Sequence, residues 1–295
     1  METFVQDLKH SLRLFRQSPG FTAAAVAALT LGIGANTAIF SVVNSVLLKP
    51  APFPDPGRLV MFLNVFPQGS GSGASPTKFN HWRAQTSVVH DVSAFLIATV
   101  NLTGGAAPEQ LNSAQVTADY FRLFGATTVL GRTFSQQEDL PNGPKVVVLS
   151  NGFWRRRYAA DPQIVGKTIL LGNEPFEAIG VLSPGFDFRD FGPPPDVWIP
   201  FQIDPNSNDQ GHYFQAAGRL KPGVTLAQAN ARMKVAAQDF NRKYAALGPN
   251  SKLSFGVQPI REALVTNVRT SLVVLTGAVG LVLLIACANV ANLLL

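Results

Sequence analysis

Cysteine is almost missing from this chain. Its 295 residues include one, Cys287, so no disulfide can form within it. The four histidines, His10, His81, His90 and His212, fall at no metal-ligand spacing with one another or with Cys287, which leaves a zinc-type centre without support. Each reads as a surface or loop histidine. Nucleotide chemistry is missing too. Gly166-Lys167-Thr168 ends like a phosphate-binding loop, but Asp161 stands where the first glycine of G-x-x-x-x-G-K-[ST] belongs, and a strand pattern follows instead of a helix. Gly69, Gly71 and Gly73 lie in a Gly/Ser stretch and form no dinucleotide fingerprint. No G-x-S-x-G elbow is present. Lysine and arginine are scattered, with one short run at Arg155, Arg156 and Arg157. Nucleic-acid binding would want a denser basic stripe with interleaved aromatics. The sequence therefore predicts no catalytic, metal-binding or cofactor-binding residue and no nucleic-acid partner. Asn101-Leu102-Thr103 fits a glycosylation sequon, a match that arises often by chance.

Charge is also missing from two long apolar stretches, residues 21–48 and 271–295. A helix needs about 20 mostly apolar residues to cross a bilayer, and both stretches exceed that. The first is too long for a signal peptide and is followed by no A-x-A site, so it reads as a retained membrane helix. Lys9, Arg13 and Arg16 precede it, which favours a cytoplasmic N-terminus. The long middle segment then lies outside the cytosol, and the second span returns to the cytoplasmic face. Residues 1–18 have Phe4, Val5, Leu8, Leu12 and Phe15 at helical spacing, with Gln6, Lys9, Arg13 and Arg16 opposite. That is an amphipathic helix for the inner membrane surface, with Leu8, Leu12 and Phe15 as a candidate face for docking a partner.

Small and polar residues interrupt both spans. Gly32, Gly34, Asn36, Thr37 and Asn44 lie in the first, and Gly277, Gly280, Asn289 and Asn292 in the second. Small residues admit close helix approach and asparagine hydrogen-bonds between helices in lipid, so Gly32, Gly34, Asn36, Asn289 and Asn292 are predicted to pack helix on helix. Two helices alone make no transport path, so further helices are expected, from a continuation of the chain or from a second subunit. The ending in three leucines straight after an apolar run reads as a fragment of a longer protein.

Between the spans, 21 basic and 16 acidic residues leave a mildly basic segment at +5, long enough for its own core. Strand and helix patterns alternate along it. Strands are predicted at 59–63, 92–102, 110–116, 146–149, 167–171, 175–181, 196–201, 213–220 and 254–260. Helices are predicted at 76–85, 119–124, 151–158 and 225–246, the last opened by an N-cap at Thr225. Residues 67–76 read as a mobile Gly/Ser loop, and Gly172-Asn173 as a hairpin turn. The last strand–helix–strand runs into the second span. A similar early unit could pair with it, leaving about 109–201 as an inserted β-rich part.

Several stretches resemble a known family. Gln17-Ser18-Pro19-Gly20-Phe21-Thr22 followed by Ala28-Leu29-Thr30-Leu31-Gly32-Ile33-Gly34-Ala35-Asn36-Thr37-Ala38-Ile39-Phe40-Ser41 is similar to the first span of MacB/FtsX-type ABC transporter permeases, closest to the duplicated (ADOP) subgroup. The resemblance continues through Val116-Thr117-Ala118-Asp119-Tyr120-Phe121, Leu130-Gly131-Arg132-Thr133-Phe134, Ile164-Val165-Gly166-Lys167-Thr168, Asp196-Val197-Trp198-Ile199-Pro200 and Gly218-Arg219-Leu220-Lys221-Pro222-Gly223, and ends in Ala286-Cys287-Ala288-Asn289-Val290-Ala291-Asn292-Leu293. It implies a membrane protein of the α+β class. Two transmembrane helices (21–48 and 271–295) would flank a periplasmic core domain (50–268), built from a β-α-β porter-like part and the inserted β-rich part. It further implies residence in the bacterial inner membrane, two later spans, and a separate ABC ATP-binding subunit that holds the ATP. A permease dimer or second permease half, a periplasmic adaptor and membrane lipid complete the expected partners. The function implied is coupling of cytosolic ATP hydrolysis to motion of the periplasmic domain, for export or periplasmic work. The alternative is a membrane-anchored sensor with a ligand-binding ectodomain, which would continue into a signalling module instead of further spans.

Overall fold

The structure, a computed structural model, describes residues 19–44, 53–105, 107–186, 191–245 and 253–294. The chain forms two compact units, residues 1–50 with 265–295, and residues 51–264. In the first, α1 (Pro19–Val43) covers most of the first apolar stretch. Helix α6 (Ile260–Leu294), which starts in the other unit, covers the second. Among the described residues no helix is long and apolar enough to cross a membrane, so the two predicted spans stand here as helices. Residues 1–18, with Leu8, Leu12 and Phe15, lie outside the described residues.

The second unit is built on one sheet. Its first half comprises β1 (Leu59–Phe66), α2 (Pro76–Arg83) and β4 (Val89–Thr103), then β11 (Phe214–Leu220), α5 (Leu226–Lys243) and β12 (Ser254–Pro259). These strands lie in the order β12-β1-β11-β4, each antiparallel to its neighbour. Two β-α-β units are thus interleaved, each strand of one lying beside a strand of the other, which is the ferredoxin-like arrangement. Helices α2 and α5 cover one face. Trp82 stacks on Phe62 at 5.1 Å between ring centroids and meets Phe255 edge-on at 5.3 Å. The stripe Ala229, Met233, Ala236, Ala237 and Phe240 of α5 closes that core. A capping box between Thr225 and Gln228 starts α5 at the predicted residue. Strand β1 is buried from Leu59 to Asn64 because both its faces are covered. Val60 and Phe62 meet the helices, and Leu59 and Met61 meet a second core around Tyr120, Phe124 and Trp198. The outer edge of β12 is closed by α5, whose Asn230 both donates to the Val257 carbonyl (3.0 Å) and accepts from its N–H (2.9 Å), so this edge offers little to a foreign strand.

Residues 109–200 extend the same sheet. Strands β5 (Glu109–Val116), β6 (Thr128–Gly131), β7 (Val146–Leu149), β8 (Thr168–Leu171), β9 (Glu174–Leu182) and β10 (Val197–Pro200) continue it from β4 in the order β5-β10-β7-β9-β6, with β8 beside β9 and the end of β4. Helices α3 (Tyr120–Phe124) and α4 (Asn151–Tyr158) pack on it. The join is strand β4. Its first part pairs with β11 up to Phe95, and from Phe95 to Leu102 it pairs with β5 over eight residues. The turn at Gly172-Asn173 has φ of +59° and +67°, the two left-handed residues of a type I′ hairpin.

Two expectations are corrected. The Gly/Ser stretch is not a mobile loop: it holds β2 (Gly69–Gly71), paired with β1, and β3 (Gly73–Ala74), paired with β11. Its strands bury little of their own and are held by bonds from their neighbours, Asn64 Nδ2 of β1 to the Gly73 carbonyl and Gln215 Nε2 of β11 to Ser72 Oγ (3.1 Å). His81 is not a surface histidine either. It is half-buried in α2, bonded to the Ala236 carbonyl at 2.7 Å and packed on Phe240.

A buried acid after β6 sets an acid limit on the fold. Glu138, 6 % exposed, accepts a bidentate bond from Arg132 (2.7 and 2.8 Å) and further bonds from the N–H and hydroxyl of Ser135. Arg132 foremost, then Ser135, hold its carboxyl down at about 2 against burial, which opposes them. A folded value below the unfolded one means stability that is complete above about pH 4.5 and is lost as pH falls toward 2. Arg132 is half exposed, so the loss is on the order of 2 kcal/mol. In urea titrations between pH 5 and 2.5, the wild-type midpoint should fall more steeply than that of Glu138→Gln. Parallel curves would remove the pair from the acid response.

Candidate functional site

In the first unit, Asn36 Nδ2 donates to the Gly32 carbonyl one turn back (2.9 Å) and to the Val279 carbonyl of α6 (3.2 Å), a polar tie between the two helices. Gly32 is buried, whereas Gly34 is exposed, and a Cβ there would meet nothing within 4 Å. Asn289 and Asn292 fall within α6, and their side chains lie outside the described residues. The predicted docking residues Leu8, Leu12 and Phe15 also lie outside them.

In the second unit two basic residues stand out. Arg219 of β11 is 5 % exposed and reaches across the second core. It donates to the carbonyls of Pro54 (2.7 Å), Asp55 (3.5 Å) and Leu123 (2.6 Å). The register of β11 on β4 shifts between Ala217 and Arg219, and such a bulge re-aims the side chain that follows it. Arg219 thereby ties the segment after α1 to the sheet and to the last turn of α3, whose free carbonyl welcomes a cation.

Lys78 is the other. It is the third residue of α2 and 2 % exposed. Ser75 caps the helix by accepting from the Lys78 N–H, and Thr77 bonds the Asp209 carbonyl at 2.9 Å. That stitch brings the loop before β11 against α2, and Lys78 Nζ contacts His212 Nε2. Among the described residues Lys78 has no carboxylate partner. Burial lowers it to about 8, and burial together with the Lys78 charge lowers His212. His212 lines a cleft of about 340 Å³ with Gly73, Phe95, Ile97, Phe191 and Phe214 among its walls. Among the described residues no three metal-binding side chains converge.

A family model described as MacB-like periplasmic core domain matches residues 22–236. The chain belongs to that family. The macrolide export ATP-binding/permease proteins MacB of Escherichia coli K12 and of Shigella dysenteriae serotype 1 are each 30% identical to it over 119 residues, 40% of this chain. That match takes in 18% of each relative's length. Among solved structures, the periplasmic region of MacB from Actinobacillus actinomycetemcomitans aligns with a TM-score of 0.51 at 15% identity, over 76% of this chain and 98% of that one. A domain of a Porphyromonas gingivalis protein assigned as a permease aligns at 0.53 and 13% identity, over 70% and 92%. The fold is therefore the periplasmic α+β core domain of MacB-type ABC transporter permeases, and the resemblance read from the sequence holds.

Within this MacB-like domain, neither Arg219 nor the Lys78–His212 contact was found from the sequence. Arg219 left one signal, an arginine inside an otherwise apolar strand end. Lys78 left none: in Pro-Thr-Lys-Phe-Asn it reads as a solvated helix lysine, and its partner is 134 residues away.

Proposed function

We propose that this chain is part of a permease subunit that couples ATP hydrolysis, carried out by a separate ABC ATP-binding subunit, to motion of its periplasmic domain. In this reading the two uncharged stretches, residues 21–48 and 271–295, cross the bacterial inner membrane, the N-terminus is cytoplasmic, and the chain itself binds no ATP. A second permease half or copy and a periplasmic adaptor complete the assembly, and its work is export or another task in the periplasm.

One observation carries the proposal: a MacB-like core domain lies between two helices whose outward side chains are apolar. Leu31, Ile33 and Phe40 on α1 and Val274, Leu281 and Leu284 on α6 are all more than half exposed. The hydroxyls of Thr37, Ser41 and Thr276 fold back onto carbonyls four residues earlier, at 2.7–2.8 Å. A helix surface with its hydroxyls satisfied internally and its large apolar groups outside suits lipid. The uncharged stretch of residues 21–48 is long enough to span it.

The test is a tagged pull-down of the whole permease from its native membrane in detergent, with ATP hydrolysis assayed on the eluate. An ABC ATP-binding subunit is expected to co-purify. Changing Leu8, Leu12 and Phe15 together to Asp should abolish its recovery, placing the docking face on residues 1–18. Recovery of a signalling enzyme without any ATPase would overturn the proposal in favour of a sensor.

A further inference from the structure

We propose that the His212 cleft binds a small amphiphilic carboxylate, an apolar body with one anionic head, recognised by His212 with Lys78 behind it. The inference does not rest on the transport reading, because binding is measured on the chain itself.

The argument starts from an uncompensated charge. A lysine in the first turn of a helix faces the positive end of the helix dipole, and an unpaired buried ammonium is costly. Lys78 carries both burdens, and among the described residues its one polar side-chain contact is the His212 ring. An ammonium can only donate a hydrogen bond, so His212 Nε2 accepts, and the neutral ring keeps its proton on Nδ1. His212 is thus fixed as a donor, with a buried positive charge directly behind the ring. An anion taken up at the cleft supplies the charge that Lys78 lacks.

The cleft is shaped for such a guest. Exposed His212 sits at its wall. Phe191, Ile97 and Leu96, all partly exposed, offer its apolar surface, and the buried Phe95 ring backs Phe191 at 5.1 Å between centroids. Its volume, about 340 Å³, falls at the small end of ligand pockets. Gly73 lets the strand approach, since a Cβ there would lie 3.1 Å from the Cβ of His212. The acid on the same loop, Asp209, does not compete for the role of anion. Its oxygens accept from the Gly211 N–H (2.7 Å) and the Tyr213 hydroxyl (3.0 Å).

The test uses the full chain in lipid nanodiscs and isothermal titration at pH 7 with 2-naphthoate, its neutral isostere 2-naphthylmethanol as comparison, and empty nanodiscs subtracted. Naphthoate should bind at least tenfold more tightly than the alcohol. His212→Ala should cut naphthoate affinity about tenfold and leave the alcohol unchanged, while lowering the urea midpoint because it strips the buried Lys78 of its polar contact. Lys78→Met should do the same to the two ligands. If that variant does not fold, Gly73→Ala, which displaces His212, takes its place with the same expected loss. Equal affinity for the two probes, or naphthoate binding that survives His212→Ala, would overturn the proposal.

Discussion

Replacing Arg219 with Ala should cost the core domain about 3–4 kcal/mol, one of the two largest losses expected from a single substitution in this chain. The side chain fills a buried channel between β11, α3 and the segment at Pro54 and Asp55. Its removal leaves the carbonyls of Pro54 and Leu123 without their donor, at roughly 1–3 kcal/mol for each buried group left unpaired, and opens a cavity. Arg219→Lys should recover part of the loss, because an ammonium keeps the charge but lacks the planar fork that serves separate carbonyls. The measurement is urea unfolding of the full chain followed by tryptophan fluorescence. Trp82, Trp154 and Trp198 are the only tryptophans and all are buried in the core domain, so the signal reports that domain and not α1 or α6. A loss below 1 kcal/mol for Arg219→Ala would show that water replaces the guanidinium at no great cost.

The second large effect is at Gly180. Strands β6 and β9 meet with Gly131 opposite Gly180. A Cβ on Gly180 would lie 2.2 Å from the Arg132 carbonyl oxygen, and one on Gly131 would lie 2.1 Å from that of Ile179. Both obstacles are backbone, which cannot swing aside, so Gly180→Ala must part the two strands. A loss of about 3 kcal/mol or more is expected. Gly131 also has φ of +64°, so Gly131→Ala adds backbone strain to the clash and should be worse. Gly152→Ala is the control, since a Cβ there meets nothing within 4 Å. In the first turn of α4 it should stabilise by a few tenths of a kcal/mol. If Gly180→Ala and Gly152→Ala shift the urea midpoint alike, the close approach of β6 and β9 is not what the glycines serve.

Much of the sheet could be read from local pattern. Val146–Leu149 and Asn151–Tyr158 form at the predicted residues, because a wholly apolar run and a serine cap at Ser150 are signals carried within a few residues. Helix α5 was legible for the same reason, its stripe and its capping box being local. Strands β2, β3 and β6 were not. They are two to four residues long; β3 and β6 are held by β11 and β9, far along the chain, and β2 by a tight hairpin on β1 that a Gly-Ser-Gly run does not announce. The basic residues follow the same division. Nothing near Lys78 in the chain announces that it is buried, and Arg219 shows only its place in an apolar strand end, since both are buried by elements folded in from far along the sequence. The asparagines and glycines of the apolar stretches could be located by composition. What they touch depends on a second helix, and for Asn36 that is the Val279 carbonyl.

Strand β4 has a mechanical consequence. It is hydrogen-bonded to β11 as far as Phe95 and to β5 from Phe95 on, so the porter-like half and the inserted half share one strand, and the changeover is stiffened by the core that packs Leu59 and Met61 against Tyr120, Phe124 and Trp198. A jaw-like closure of one half on the other would have to open that buried core. Under the proposed coupling the core domain would therefore move as a stiff plate, and a load delivered along β12, which runs from Pro259 into Ile260 of α6 without a loop, would be shared by the row of strands.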